Sequence, residues 1–484
     1  MIKHTLMAAA VAGALAGPGT AAAVTESEMK ELREQVRQLK QEYERRIDAL
    51  EQRLKQAEGA AGKAQSSAGQ AEAAASEAKA SAVGAEAAAA SASIRPAGEN
   101  AFNPAVSLIL NGVMSNLKQD PARHQIAGFT PTGGEVGPGN RGLNLAETEL
   151  VFSANIDPNF RGTLIAKLGA DDTVGIEEGF IQTLGLSNGL TARAGRFLAG
   201  VGYLNEIHPH AWDFADAPLA SKVFLGNQLG EDGVQVKWVA PTDLYFDAGM
   251  ELGRGRKFPA GPDNGRNKNG IGSANVFAHL GGDIGTDTAW QVGLSHLRTQ
   301  PRDRTYQDAD AAGINVTNSF SGSSRLWVLS GVLKWAPQGN STINNLKLQG
   351  EYFSRDEGGD LVYDSGGASR GAQSGAYSSK QSGWYGQAVY QFAPQWRAGY
   401  RYDRLNAGSS SIGLVSGGAR LAADFPVLER YSPTRNTWMI DWSGSEFSRW
   451  RLQFAQDKSR AGAPDNQVAL QYIMSLGAHG VHKF

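Results

Sequence analysis

From about Val106 to the end, the chain alternates apolar and polar residues over short stretches separated by turns. In the last stretch Val468, Leu470, Tyr472, Met474 and Leu476 share one face; Gln467, Ala469, Gln471, Ile473 and Ser475 share the other. A period of two marks strands whose two faces meet different surroundings. Such strands are expected over 105–116, 145–156, 160–169, 174–185, 190–197, 233–240, 244–253 and 274–281. Eight more are expected over 288–297, 325–335, 345–354, 381–392, 396–405, 433–442, 449–457 and 466–476.

Short turns such as Asp157-Pro158-Asn159, Ser187-Asn188-Gly189 and Ala393-Pro394-Gln395 alternate with longer connections. Pro, Asn, Asp and Gly there are turn chemistry. The long connections lie near 117–142, 198–231, 254–273, 298–324, 355–380, 406–432 and 458–465. An all-β transmembrane barrel of about sixteen antiparallel strands explains this rhythm, and that many strands leave an aqueous lumen. A propeller or sandwich would alternate similarly. Trp384, Tyr390, Phe392, Trp396, Tyr400, Tyr402, Trp438, Trp442 and Trp450 sit mostly near strand ends, where a bilayer barrel carries its aromatic girdles.

The N-terminus has a different period. Residues 1–23 read as a signal peptide: Lys3, an apolar core from Leu6 to Leu15, and Ala21-Ala22-Ala23 for cleavage. Residues 24–57 predict a coiled-coil helix, with Met29, Leu32, Val36, Leu39, Tyr43, Ile47, Leu50 and Leu54 at steps of three and four. An amphipathic helix lying on a membrane would share that stripe. Residues 58–100 form an Ala-rich helical spacer or linker that ends at the breaker Ile94-Arg95-Pro96. If wholly helical, residues 26–93 would span roughly 100 Å at ~1.5 Å per residue. The barrel domain is expected over 101–484.

Composition alone points elsewhere. Apolar residues are 41%, mean hydropathy is −0.33 and the formal charge is −2. Past the first two dozen residues no apolar run is long enough for a membrane helix. A barrel accommodates these numbers, because half of each strand faces lipid and half faces water. With Cys at 0, disulfides and thiolate metal sites are excluded. The near-neutral balance argues against nucleic acid as a partner, and no cofactor is expected.

The chain's terminal Phe484 after an alternating strand resembles the address read by the outer-membrane barrel assembly machinery. The segments Phe102-Asn-Pro-Ala-Val-Ser-Leu-Ile-Leu-Asn-Gly112, Ala194-Gly-Arg-Phe197, Gly202-Tyr-Leu-Asn205 and Leu476 to Phe484 resemble trimeric porins related to the phosphate-selective porin O and P family. The resemblance implies a homotrimer of sixteen-stranded barrels embedded in outer-membrane lipid. It also implies a third extracellular loop folded into the lumen, and anions such as phosphate among the solutes.

The loop after Arg196-Phe197, 198–231, is the third extracellular one when the short connection between strands 160–169 and 174–185 is counted. It is unusually apolar (Val201, Tyr203, Leu204, Ile207, Trp212, Phe214, Leu219, Val223, Phe224, Leu225), as suits a segment packed inside a barrel. It is expected to form the constriction through Glu206, His208, His210, Trp212, Asp213 and Asp216. His208, His210 and Asp213 offer imidazole and carboxylate ligands for a divalent metal such as zinc, although Pro209 makes one tetrahedral site from neighbouring side chains awkward. Lumen-facing charge is expected from Arg161, Lys167, Arg193, Arg397, Arg401, Arg449 and Arg451, and from Glu147, Glu149, Glu177, Asp247 and Asp403. Rings of Arg favour anions and rings of carboxylate favour cations. The leading function is passive diffusion of small solutes or ions. The alternative is a structural protein tethering the outer membrane to the cell wall through its periplasmic coiled coil. No Gly-x-Ser-x-Gly elbow or readable triad points to an enzyme.

Overall fold

A computed structural model describes residues 104–132, 136–169, 173–261 and 269–477, together with Glu34, Arg37, Gln41, Glu44, Arg45, Gln52 and Lys55 near the N-terminus. The chain divides into two compact units, Met1–Ala101 and Phe102–Phe484. In the first, the described positions are all helical and exposed. The expected signal peptide, the apolar coiled-coil seam, the Ala-rich spacer and Phe484 lie outside the described residues.

The second unit is a closed antiparallel barrel. Its strand segments run β1 Ala105–Leu117, β2 Gly142–Leu145, β3 Thr148–Asn155, β4 Phe160–Leu168, β5 Val174–Thr183, β6 Leu190–Leu198, β7 Gly230–Val239, β8 Tyr245–Gly253 and β9 Ser273–Ile284. They continue as β10 Thr288–Thr299, β11 Arg304–Ala309, β12 Asn315–Trp335, β13 Asn345–Tyr363, β14 Gln373–Ala393, β15 Trp396–Ile412, β16 Thr434–Ser445, β17 Ser448–Lys458 and β18 Asp465–Gly477. These 18 segments make sixteen staves. Segments β2 and β3 pair in turn with β1, and β10 and β11 pair in turn with β12, so each couple is one interrupted stave. The ring closes between β1 and β18, from Ser107 opposite Gly477 to Leu117 opposite Gln467. No helix among the described residues is long and apolar enough to cross a membrane.

The alternation read in the sequence sorts side chains by face. Leu329 is 56% exposed on the outside while its neighbour Ser330 is 5% exposed inside. The outward faces carry Leu452, Leu470, Trp438 and Trp450, all exposed. Aromatic rings interlock across staves, with Tyr400 and Trp438 centroids 5.4 Å apart and Trp450 and Tyr472 4.4 Å apart. Gln453, Gln471, Arg451 and Asp441 are buried on the inward faces. This is an inverted core, with apolar groups outside and hydrogen-bonded polar groups within.

Four strands run well past their expected limits: β12 has 21 residues, β13 has 19, β14 has 21 and β15 has 17. Their upper ends hold Ser, Gly and Asp on both faces, such as Ser321-Gly322-Ser323 opposite Gly358-Gly359-Asp360. Such Ser- and Gly-rich stretches interrupt the alternation, and the scattered apolar residues there do not restore it, so these segments read as loop. On these upper ends Tyr306, Phe320, Leu361, Tyr363 and Tyr377 form a second apolar cluster with Leu414, Phe425, Val427 and Leu428 of the connection after β15.

Candidate functional site

The connection between β6 and β7, residues 199–229, turns into the barrel. Apolar attraction supplies part of the reason. Leu204, Trp212, Leu219, Val223 and Phe224 are buried against Leu326, Val328, Phe353 and Tyr385 of the wall. All seven residues of the short helix Leu219–Leu225 are buried, and Gly226 ends it in the left-handed region at φ 64°. Phe224 stacks on Phe353 at 5.7 Å, and the Arg355 guanidinium lies 5.1 Å from its centroid. Phe129, from the connection after β1, meets the same ring edge-on at 5.9 Å.

Wall carboxylates and hydroxyls satisfy the loop's backbone where it enters. The N–H of Gly200 donates to Glu251 at 2.8 Å, that of Gly202 to Ser295 at 3.0 Å, and that of Tyr203 to Glu351 at 2.6 Å. Such partners matter, because an unpaired buried N–H costs about 1–3 kcal/mol.

The next segment joins two differently charged walls. On one side stand Glu149 of β3 and Glu177 and Glu178 of β5. His208 Nδ1 lies 3.3 Å from Glu149 and 3.2 Å from Glu177, and its Nε2 lies 3.2 Å from Glu178. His210 Nδ1 meets the other oxygen of Glu149 at 2.9 Å. Two consecutive residues of a strand normally face opposite ways. Here the register slips between the pairs Ile165–Glu178 and Ala166–Ile176, so Glu177 is the extra residue of a bulge and both carboxylates reach the loop. Burial opposes a charge on the His208 ring, but the three carboxylates outweigh it and hold the ring's proton well above the ordinary histidine range.

On the other side Asp213 meets Lys347 of β13 at 3.0 Å and Arg397 of β15 at 3.1 Å. Asp216 meets Arg401 of β15 at 3.1 Å, Lys222 at 3.2 Å and Arg435 of β16. Burial would raise both aspartates; these cations overcome it and keep both well below the usual carboxylate range. The carbonyl of Trp212 accepts from Arg451 of β17 at 2.8 Å and from Arg449 at 3.5 Å. Trp212 itself is buried and donates to the Ile207 carbonyl at 2.7 Å.

Of the residues singled out in the sequence, Arg397, Arg401, Arg449 and Arg451 all meet the loop. Asp403 accepts from Arg401 at 3.0 Å and from the Leu219 N–H at 2.8 Å. Lys167 pairs with Glu147 at 2.6 Å. Arg193 lies 4.8 Å from the Phe180 ring, and the exposed Arg161 donates to Ser153 at 2.9 Å. Asp247 pairs with Lys237 at 2.5 Å and His279 at 2.7 Å, and Glu206 is half-buried in the loop. The structure does not bring Asp213 to the histidines. It bonds instead to Lys347 and Arg397, and the carboxylates gathered at His208 are Glu149, Glu177 and Glu178. Sequence reasoning missed Glu178, Lys347, Arg435 and Asp441. Only parity with Thr437 and Met439 on an expected strand pointed to Arg435 and Asp441, and the bulge hid Glu178.

No protein-family model matches the chain. An uncharacterized protein of Aquifex aeolicus (strain VF5) is 30% identical over 418 residues, covering 81% of this chain and 82% of the relative. Similar solved structures include the loop L8 deletion mutant of OmpT, an outer membrane protein of Vibrio cholerae. It is 11% identical with a TM-score of 0.47, and the match covers 77% of this chain and 99% of that one. Pseudomonas putida OprB is 13% identical with a TM-score of 0.45, covering 77% and 94%. An anion-selective porin from Comamonas acidovorans is 12% identical with a TM-score of 0.41, covering 77% and 99%.

Proposed function

We propose that this chain, which belongs to one family with the uncharacterized Aquifex aeolicus protein, is an outer-membrane porin. In this reading it forms a narrow aqueous channel for small hydrophilic solutes and ions, as a homotrimer in a Gram-negative outer membrane. The observation that carries the reading is the inversion of the barrel. An apolar, aromatic-banded exterior suits lipid, and a charged interior suits water. Loop 199–229 is the constriction, because its polar backbone and charged side chains are tied to the inner wall on several sides.

The channel's ion preference is weak. Arg397 and Arg401 pair with Asp213, Asp216, Asp403 and Asp441, and Arg449 and Arg451 share Asp441 with Arg397. Most of the wall arginines are therefore compensated in part rather than left as a free ladder for anions. Carboxylates on β3 and β5 face the loop from the other wall. A phosphate-selective channel would need uncompensated cations in line. The test is reversal potential across a salt gradient in a planar bilayer. A ratio of chloride to potassium permeability within about threefold of unity fits this balance of charge. Strong anion selectivity with block by phosphate would contradict it.

A further inference from the structure

Three atoms from separate parts of the fold converge at the carboxylate wall. They are Oε2 of Glu149 on β3, Oε2 of Glu177 at the bulge in β5, and Nδ1 of His208 in the inward loop. All lie within 4.8 Å of one another. None meets hydrogen-bond geometry with any group, the two carboxylate oxygens standing only at ion-pair distance from Nδ1, and all three are shielded from water. The Glu149 side chain is 0% exposed and that of Glu177 10%. Buried polar atoms without partners are uncommon, and several aimed at one point call for a cause.

Their outer partners are already in place. Glu178 bonds Nε2 of His208 at 3.2 Å, which turns Nδ1 toward the other two atoms. His210 takes Oε1 of Glu149 at 2.9 Å, leaving Oε2 to face Nδ1 of His208. A carboxylate holding the far nitrogen of a histidine is the usual support for a metal ligand. Two of the three spacings also fit, and the third lies within 4.8 Å. Tetrahedral bonds of ~2.0–2.1 Å place neighbouring ligand atoms roughly 3.3–3.4 Å apart. His208 Nδ1 stands 3.3 Å from Glu149 Oε2 and 3.2 Å from Glu177 Oε2.

We propose that Glu149, Glu177 and His208 bind a divalent transition-metal ion, with zinc the best fit to one imidazole and two carboxylates, and that the ion fastens the inward loop to the wall. The ion displaces the Nδ1 proton of His208 to solvent, and the two carboxylates and the resulting neutral imidazole carry a charge that a divalent cation balances. A fourth position remains for water. This site differs from the group His208, His210 and Asp213 expected from the sequence, because two of its ligands come from strands far from the loop in the chain.

The test uses untagged, full-length protein in detergent, stripped with EDTA and titrated with zinc chloride by calorimetry. The expected result is one zinc per chain with micromolar or tighter affinity. His208→Asn and Glu177→Gln should each abolish that uptake, and Glu178→Gln should weaken it about 10–100-fold. Arg161→Gln should leave it unchanged. Heat-modifiable migration in gels verifies that each variant is folded. X-ray absorption of the zinc-loaded wild type gives a second reading that needs no variant, and a shell of one imidazole plus oxygens is expected. No saturable uptake, uptake unchanged in both folded ligand variants, or an oxygen-only shell overturns the proposal. None of these readings depends on whether the barrel conducts.

Discussion

His210 and Asp213 stand three residues apart and bind distant staves of the barrel. His210 Nδ1 lies 2.9 Å from Glu149 on β3, and Asp213 lies 3.0 Å from Lys347 on β13. Around the ring these staves are nearly opposite, since β3 follows β1 and β13 lies past β12. The segment between them therefore works as a strut across the interior, with histidine at the carboxylate wall and aspartate at the basic wall.

Asp216, three residues beyond that strut, pairs with Lys222, Arg401 and Arg435 and anchors the same loop. Replacing it with Asn leaves Arg401 and Arg435 buried with weakened compensation. Removing one partner from a buried ion pair costs about 3–5 kcal/mol. The D216N protein should unfold at lower temperature in detergent and should show larger, noisier conductance steps as the loop loosens. Unfolding and conductance identical to wild type would show that Asp216 does not hold the loop.

Acid should release the same anchors. Asp213 and Asp216 are depressed in the folded protein, so their contribution is fully present above the ordinary aspartate value of about 3.9. It is lost as pH falls below that value toward the folded-state values. Between pH 7 and 5 these two residues should add no pH dependence. Below about pH 4 the unfolding temperature should fall, and this acid limb should shrink in D216N. A limb of equal size in both proteins would assign the acid sensitivity to other groups.

Gly202 is fixed by backbone geometry. It adopts φ +72°, and a Cβ there would sit 2.1 Å from Oε1 of Glu351, which accepts from the next N–H. Gly202→Ala should cost about 1–3 kcal/mol from the left-handed conformation alone, with displacement of Glu351 in addition. Thermal unfolding followed by circular dichroism checks this. An unchanged midpoint would mean that the loop's entry can relax.

Much of the barrel was legible because each stave obeys local rules. Asp157-Pro158-Asn159 and Ala393-Pro394-Gln395 mark turns by chemistry, and Val468 to Leu476 mark an outward face by alternation. The inward packing of residues 199–229 was legible from the density of Trp212, Phe214, Val223 and Phe224 in what should have been polar loop. Less was legible where the deciding contact is long-range. The upper ends of β12 to β15 are rich in Ser and Gly, without a regular apolar alternation, and are held as strands by their neighbours. Glu178 points inward only because a bulge shifts the register beside it. Asp213 looked like a ligand beside His208 and His210, but Lys347 and Arg397 on other strands capture it.

The outer face offers a separate check. Leu329 points outward from β12 and is 56% exposed, as a lipid-facing residue should be. Leu329→Arg should cost up to about 2–4 kcal/mol in a bilayer while leaving the lumen unaltered. Folding into lipid vesicles, followed by urea titration, measures the loss. No loss would place this stave against protein or water instead of lipid.

The most direct measurement is single-channel conductance of the purified full-length protein in a planar lipid bilayer. The account predicts small, stable, ohmic steps that arrive in groups of three and enlarge in D216N. Folded protein that inserts but passes no current, in wild type and D216N alike, would contradict it, because the inward loop would then be a plug rather than the wall of a pore.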